Sequence, residues 1–198
     1  MIEIPTQAKA LIFDLDGTIA DTMQSHFVSW RKAILPHGIN FDAQLFTKLT
    51  GMPRRATIEK LNEMFGTNMN PETVGEVKSS HFETLVHLTK EIKVVTDVVK
   101  KYHGKLPMAI GTGSHKEGAF KTLHVIGLTD YFDAVVTSDD VTHFKPHPET
   151  FLKCAELMQI DPKDCVVFED GVLGMDAAEE AGMMVIDINK YYQTVLEE

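Results

Sequence analysis

Asp14 and Asp16 stand two residues apart in the stretch LIFDLDGTIADT, residues 11–22, directly after the apolar run Leu11-Ile12-Phe13. Carboxylates this close at the end of a buried strand repel each other unless a cation lies between them or one keeps its proton. A second acidic pair, Glu169-Asp170, ends the run CVVFEDG; Thr112, Gly113 and Ser114 end MAIGTGS; and Lys145 sits in HFKPHPE just before a helical pattern. Oxygen donors suit a hard cation, so Asp14, Glu169 and Asp170 are candidate Mg2+ ligands. A carboxylate beside such an ion can attack phosphorus and split one displacement into two through an aspartyl phosphate. The carboxylate two residues on, Asp16, can protonate the leaving oxygen and then deprotonate water. The Thr112 hydroxyl, the Lys145 ammonium and the amides near Gly17, Gly113 and Ser114 are donors suited to phosphoryl oxygens. A calcium-type loop is the competing reading of Asp-x-Asp-Gly, but no Glu stands at the spacing such a loop needs.

These groups can meet only if the segments that end in them lie side by side. Five β-rich runs stand out: Ala8–Phe13, Met108–Thr112, Ala134–Thr137, Val166–Glu169 and Met184–Ile188. Helical patterns at Lys116–Ile126, His147–Met158 and Val172–Ala181 separate the last four, with Gly127 and Gly182 just past two helix ends. Strand and helix alternation predicts an α/β fold with a doubly wound parallel sheet covered on both faces. Residues 15–106 are too long for a simple crossover and read as helices near Thr22–Leu35, Ala43–Leu49, Arg55–Phe65, Pro71–Leu88 and Thr96–His103. Only the last is needed for the crossover, so the rest forms a helical insert over the carboxyl edge of the sheet, where ligands bind in such folds. The expected division is a Rossmann-like core of residues 1–20 and 92–198 and a helical cap of residues 21–91, with hinges near Ala20–Thr22 and Thr89–Val94.

The chain has 198 residues, 43% of them hydrophobic, which allows a substantial core, and a formal net charge of -10. A long anionic polymer would be repelled, which argues against nucleic acid as a partner, whereas a small phosphorylated metabolite can be held by a metal ion and a few local cations. No apolar run spans a bilayer and the N-terminus shows no signal pattern, so no membrane partner and a cytoplasmic location are expected. Cys154 and Cys165 read as reduced, buried packing residues.

Taken together, DLDGT, the Thr112 strand end, KPHP and FEDG resemble the four motifs of the haloacid dehalogenase superfamily, and the insert resembles its C1 cap. Within it the chain is similar to the beta-phosphoglucomutase-like subgroup, and VVKKYHGKLPMAIGTGS is especially like bacterial fructose-1-phosphatases. The resemblance implies Asp14 as nucleophile, Asp16 as acid/base, and Thr112 and Lys145 as phosphoryl binders. It implies Asp14, the Asp16 carbonyl and Asp170 as Mg2+ ligands, with Glu169 as a fourth. Gly113, Ser114, His26, Arg54 and His115 are the expected substrate contacts, with Arg55 as a substitute for Arg54 and Lys78 as a further candidate. Gly171 departs from the family, where Ser is frequent, and removes a hydroxyl from around the metal.

The implied activity is Mg2+-dependent hydrolysis of small sugar phosphates such as fructose 1-phosphate, by a monomer, with a dimer as the alternative. A mutase interconverting beta-glucose 1-phosphate and glucose 6-phosphate uses the same core motifs, and cap residues control that choice. A non-catalytic phosphoaspartate signalling module fits less well, because receiver domains lack a helical insert. An acid at Asp16 implies a carboxyl held above its ordinary pKa in the substrate complex and an activity that falls at high pH.

Overall fold

The computed structural model describes residues 2–197. Strand β1 (Ala10–Phe13) leads into a two-residue strand β2 (Ala20–Asp21). Four helices follow: α1 (Met23–Ile34), α2 (Ala43–Leu49), α3 (Arg54–Phe65) and α4 (Pro71–Leu85). Strand β3 (Lys90–Glu91) returns the chain to α5 (Lys93–Tyr102), β4 (Met108–Gly111), α6 (Lys116–Val125) and β5 (Ala134–Val136). The chain ends with α7 (Glu149–Met158), β6 (Cys165–Glu169), α8 (Val172–Glu180) and β7 (Met184–Asp187).

The main sheet has five strands in the order β5-β4-β1-β6-β7, all parallel, so every carboxyl end opens on the same edge. Alternation along β1 makes the two cores. Leu11 and Phe13 face one cluster with Val95 and Val99 of α5 and Leu123 of α6. Ala10 and Ile12 face the other, with Phe151 and Ala155 of α7 and Ala177 of α8. Both cysteines are free and buried, Cys154 and Cys165 alike, as their apolar surroundings predict.

Helices α1 to α4 close around a third cluster of their own, built from Phe27, Trp30, Ile34, Phe46, Ile58 and Leu61. Local chemistry sets their ends. The Asp42 carboxylate accepts the Leu45 amide at the start of α2, and the Asn70 side chain accepts from Glu72 and Thr73 ahead of Pro71. Gly66, at a φ of 66°, ends α3 in the left-handed region where a Cβ is disfavoured.

The two segments expected as hinges pair with each other. Ala20 faces Glu91 and Asp21 faces Lys90 in an antiparallel ribbon between the sheet and the four helices. The carboxyl-terminal tail crosses the same place: the Tyr192 hydroxyl donates to Asp21 at 2.7 Å, and Gln24 exchanges hydrogen bonds with the Glu197 backbone. Helix α5 begins at Lys93 rather than Thr96, because the ribbon delivers Ile92 directly as its cap.

Candidate active site

Register brings the charged groups together. Phe13 pairs with Phe168 and stacks on it, with ring centroids 4.4 Å apart, so Asp14 and Glu169 emerge side by side. The Asp14 amide donates to the Phe168 carbonyl at 2.9 Å, which extends the ladder one residue into the site. Lys145 enters from the loop before α7 and lies over the Phe151 ring, 4.6 Å from its centroid. Its ammonium donates to Asp14 Oδ1 and to Glu169 Oε2, both at 2.7 Å. The other Glu169 oxygen accepts the amides of Asp170 and Gly171 at 3.1 and 2.9 Å. Asp170 accepts the Thr18 hydroxyl at 2.8 Å.

Two glycines let these groups approach. A Cβ on Gly174 would collide with the Glu169 carboxylate, and one on Gly17, which sits at a φ of 90°, would collide with Asp170. Donor oxygens of Asp14, Glu169 and Asp170 all lie within 4.8 Å of one another. One lysine faces these three buried or half-buried carboxyls, and the electrostatics record the excess. Burial, with Glu169 and then Asp170 and Asp16 adding to it, holds Asp14 well above the usual carboxylate range despite Lys145. Burial and Glu169 push Asp170 up to about 7. Burial would lower Lys145, but Asp14 and Glu169 outweigh it and keep the ammonium charged. An all-oxygen set with surplus negative charge is what a hard divalent cation requires, so these residues fit Mg2+.

Asp16 lies in a different setting. Its Oδ1 accepts the Thr22 hydroxyl at 2.7 Å and faces His26 Nε2 at 3.1 Å, and its Oδ2 accepts the Ser114 hydroxyl at 2.6 Å. Lys78 Nζ lies 2.7 Å from His26 Nδ1. An ammonium only donates, so Nδ1 accepts, and the Nε2 proton is left to point at Asp16. Burial and Lys78 both lower the His26 pKa, which keeps the ring neutral and that tautomer in place. His26 stacks on Phe82 at 4.2 Å, and Lys78 lies over the same ring. Burial pushes Lys78 down to about 8. For Asp16 burial acts upward, but His26, Ser114 and Thr22 prevail and hold the carboxyl well below its ordinary value. Without substrate, three donors thus stabilise the Asp16 anion, whereas the raised carboxyl expected from the sequence concerns the substrate complex.

A cavity of about 370 Å³ separates this floor from the helices above it. Asp14, Asp16, Thr112, Gly113, Ser114, Lys145 and Glu169 line it from below, and His26, Arg54 and Lys78 line it from above. Thr112 is buried, and its Oγ accepts the Ser114 amide at 3.1 Å. The loop before α3 reaches down until the Gly51 carbonyl lies 3.3 Å from where a Cβ on Gly113 would stand. Between the two adjacent arginines the structure distinguishes clearly. Arg54 lines the cavity and donates to Ser79 Oγ at 2.6 Å, while Arg55 pairs with Glu59 and Glu72 on the outer surface. His115 lies at the rim, its Nδ1 2.6 Å from Asp139 Oδ1.

The sequence reading did not single out Thr18, Thr22, Ser79, Asp139 or Gly174. Thr18 and Thr22 carried a signal, since both are hydroxyls within the same acidic stretch. Ser79, Asp139 and Gly174 carried none, because their partners are distant in sequence.

The sequence profile described as haloacid dehalogenase-like hydrolase matches residues 11–188. The chain belongs to that family. It is 40% identical over 178 residues to the fructose-1-phosphate phosphatase YqaB of Escherichia coli (strain K12), covering 90% of this chain and 95% of that one. It is 31% identical to the phosphorylated carbohydrates phosphatase of Thermotoga maritima, covering 88% of this chain and 82% of that one. Among solved structures, beta-phosphoglucomutase from Clostridium difficile superposes with a TM-score of 0.80 at 25% identity, covering 91% of this chain and 84% of that one. The haloacid dehalogenase-like core and the helical insert are thus both matched, and the chain is a phosphoric monoester hydrolase. Among the described residues no helix is long and apolar enough to cross a membrane.

Proposed function

We propose that this hydrolase removes phosphate from small sugar phosphates, fructose 1-phosphate among them, through an aspartyl phosphate on Asp14. The observation that carries the proposal is the pair of settings two residues apart: a crowded Asp14 on the floor, and an Asp16 held by His26, Ser114 and Thr22 under a covered cavity. The likeness to YqaB supports the substrate class.

In this reading residues 21–91 form a cap domain over a core of residues 1–20 and 92–198. Asp14, the Asp16 carbonyl and Asp170 would hold Mg2+, and the bound ion would neutralise phosphoryl oxygens. Glu169, with both oxygens engaged, holds Lys145 and the turn at Gly171 in place ahead of any direct ligation. Lys145 fixes Asp14 Oδ1, which leaves the other oxygen to attack phosphorus. Thr112, Lys145 and the amides of Gly113 and Ser114 receive the phosphoryl oxygens. A phosphate dianion brought beside Asp16 raises its carboxyl, so it can carry the proton that the leaving alkoxide takes. Once the alcohol has left, the His26, Ser114 and Thr22 donors favour the Asp16 anion as base toward water. Arg54, His26, Lys78 and His115 contact the sugar from the cap and rim, and the protein works on its own without nucleic acid or membrane.

A mutase is the second reading. A cap that shut out water would leave a sugar hydroxyl as the acceptor, and His26, Arg54 and Lys78 reach the cavity from the cap side. A panel of hexose and pentose phosphates, with and without Mg2+, separates the two. Mg2+-dependent phosphate release from several of them supports hydrolysis. Conversion of beta-glucose 1-phosphate to glucose 6-phosphate, primed by the bisphosphate and with little free phosphate, overturns it.

A further inference from the structure

We propose that His143, His147 and Glu149 form a second cation site, for a borderline transition ion of the Zn2+ type, on the loop that delivers Lys145. Each of the three offers a donor atom, and all three atoms lie within 4.8 Å of one another. None of the three lines the catalytic cavity. The donors are two imidazoles and a carboxylate, which select a different class of ion from the all-oxygen set below.

The arrangement is held in advance. The Glu149 carboxylate accepts the Thr142 and His143 amides, both at 2.8 Å, so its position does not depend on any ion. The two imidazoles stack, with centroids 4.5 Å apart and planes 29° from parallel, and His147 Nδ1 accepts the Glu149 amide at 3.2 Å, which fixes that ring as well. Pro146 and Pro148 fix the backbone torsions on either side of His147. His143 Nδ1 lies 2.8 Å from Glu149 Oε2, a hydrogen-bond distance. Donors bound to one tetrahedral Zn2+ at about 2.0–2.1 Å stand about 3.3 Å apart. A small opening of the pair therefore admits the ion, which displaces the shared proton to solvent. The His143 side chain is 63% exposed, so the ion enters from water and keeps water in its remaining positions. An ion there would tie residue 143 to the start of α7, on both sides of Lys145.

The test is a Zn2+ titration followed by calorimetry, with a parallel Co2+ titration followed by its visible absorption. Both use protein saturated with Mg2+ and are repeated in the Asp170→Asn background, so that the acidic cluster does not compete. The expected result is one equivalent of Zn2+ bound, nitrogen-ligand features in the Co2+ spectrum and a raised Tm. All three are lost in His143→Gln/His147→Gln, which retains its circular dichroism and its Mg2+-dependent activity. The single variant His147→Gln should weaken binding by about tenfold or more while leaving the fold intact. No Zn2+ bound by the Mg2+-saturated wild type, or the same stoichiometry in the double variant, would overturn the site. Either result would leave the phosphatase reading untouched.

Discussion

Asp14 and Asp16 are separated by one leucine, yet they belong to opposite kinds of site. Asp14 lies on a floor of strand ends where Asp14, Glu169 and Asp170 crowd around a single lysine, and burial with mutual repulsion raises both Asp14 and Asp170. Asp16 turns upward toward helices α1 and α4, where hydroxyls and a neutral imidazole satisfy it and lower its pKa. The floor stores unfavourable charge that a cation and a phosphoryl group can relieve, whereas the Asp16 cluster is already self-consistent. Activity that needs both should therefore respond to substitution in the same direction at the two positions, while stability should respond in opposite directions.

The sharpest break of that comparison is the pair Asp14→Asn and Asp16→Asn. Asp14→Asn should lower kcat by about 10⁴-fold or more, because no other carboxylate on the floor can take its place as nucleophile. Asp16→Asn should lower kcat by about 10²–10⁴-fold, the range for a lost acid/base. Thermal melts in Mg2+-free buffer should nonetheless diverge, with Tm raised by Asp14→Asn and lowered by Asp16→Asn. A fall in both would mean that the floor is not strained.

Asp170→Asn sharpens the same point through pH. A carboxyl raised from 3.8 to about 7 gives its full stabilisation below pH 4 and loses it as pH rises through 7. Without Mg2+, the variant should melt at least about 3 °C above wild type at pH 8, the scale of 1 kcal/mol at this length. The two should converge near pH 4. Saturating Mg2+ should stabilise wild type but not the variant. A pH-independent gap would contradict the assignment.

Lys78 tests the Asp16 side. With its pKa at about 8, it loses the proton that fixes the His26 tautomer as pH rises past that value. Wild-type kcat should therefore fall above pH 8. Lys78→Met should lower kcat by about tenfold and remove that limb of the profile. An unchanged limb would return it to Asp16 or to the substrate. The smallest expected effect is at the tail: Tyr192→Phe removes one hydrogen bond to Asp21 and should cost about 1 kcal/mol in a denaturant melt, with kcat hardly changed.

The floor was legible in the sequence because apolar strands run straight into their polar ends. Leu11-Ile12-Phe13 before Asp14, and Val166-Val167-Phe168 before Glu169, place their carboxylates with no information beyond alternation and parallel pairing. The cap side was legible only in outline. Ala20–Asp21 and Lys90–Glu91 pair across the whole insert, and two-residue strands carry no period to detect. The choice of Arg54 over Arg55 depends on where α3 begins and on Ser79, a helix away. The direction of the Asp16 pKa depends on hydroxyls from Thr22 and Ser114 and on a ring from α1, and no motif states their joint effect.

The central claim is that the phosphoryl group passes through Asp14. An acid quench during turnover, followed by proteolysis and mass spectrometry, tests it directly, because only a covalent intermediate leaves phosphate on the protein. The account predicts a phosphorylated peptide carrying Asp14 in the quenched sample, absent in Asp14→Asn. Phosphate released at the wild-type rate with no phosphopeptide at any quench time, together with an active Asp14→Asn, would contradict it.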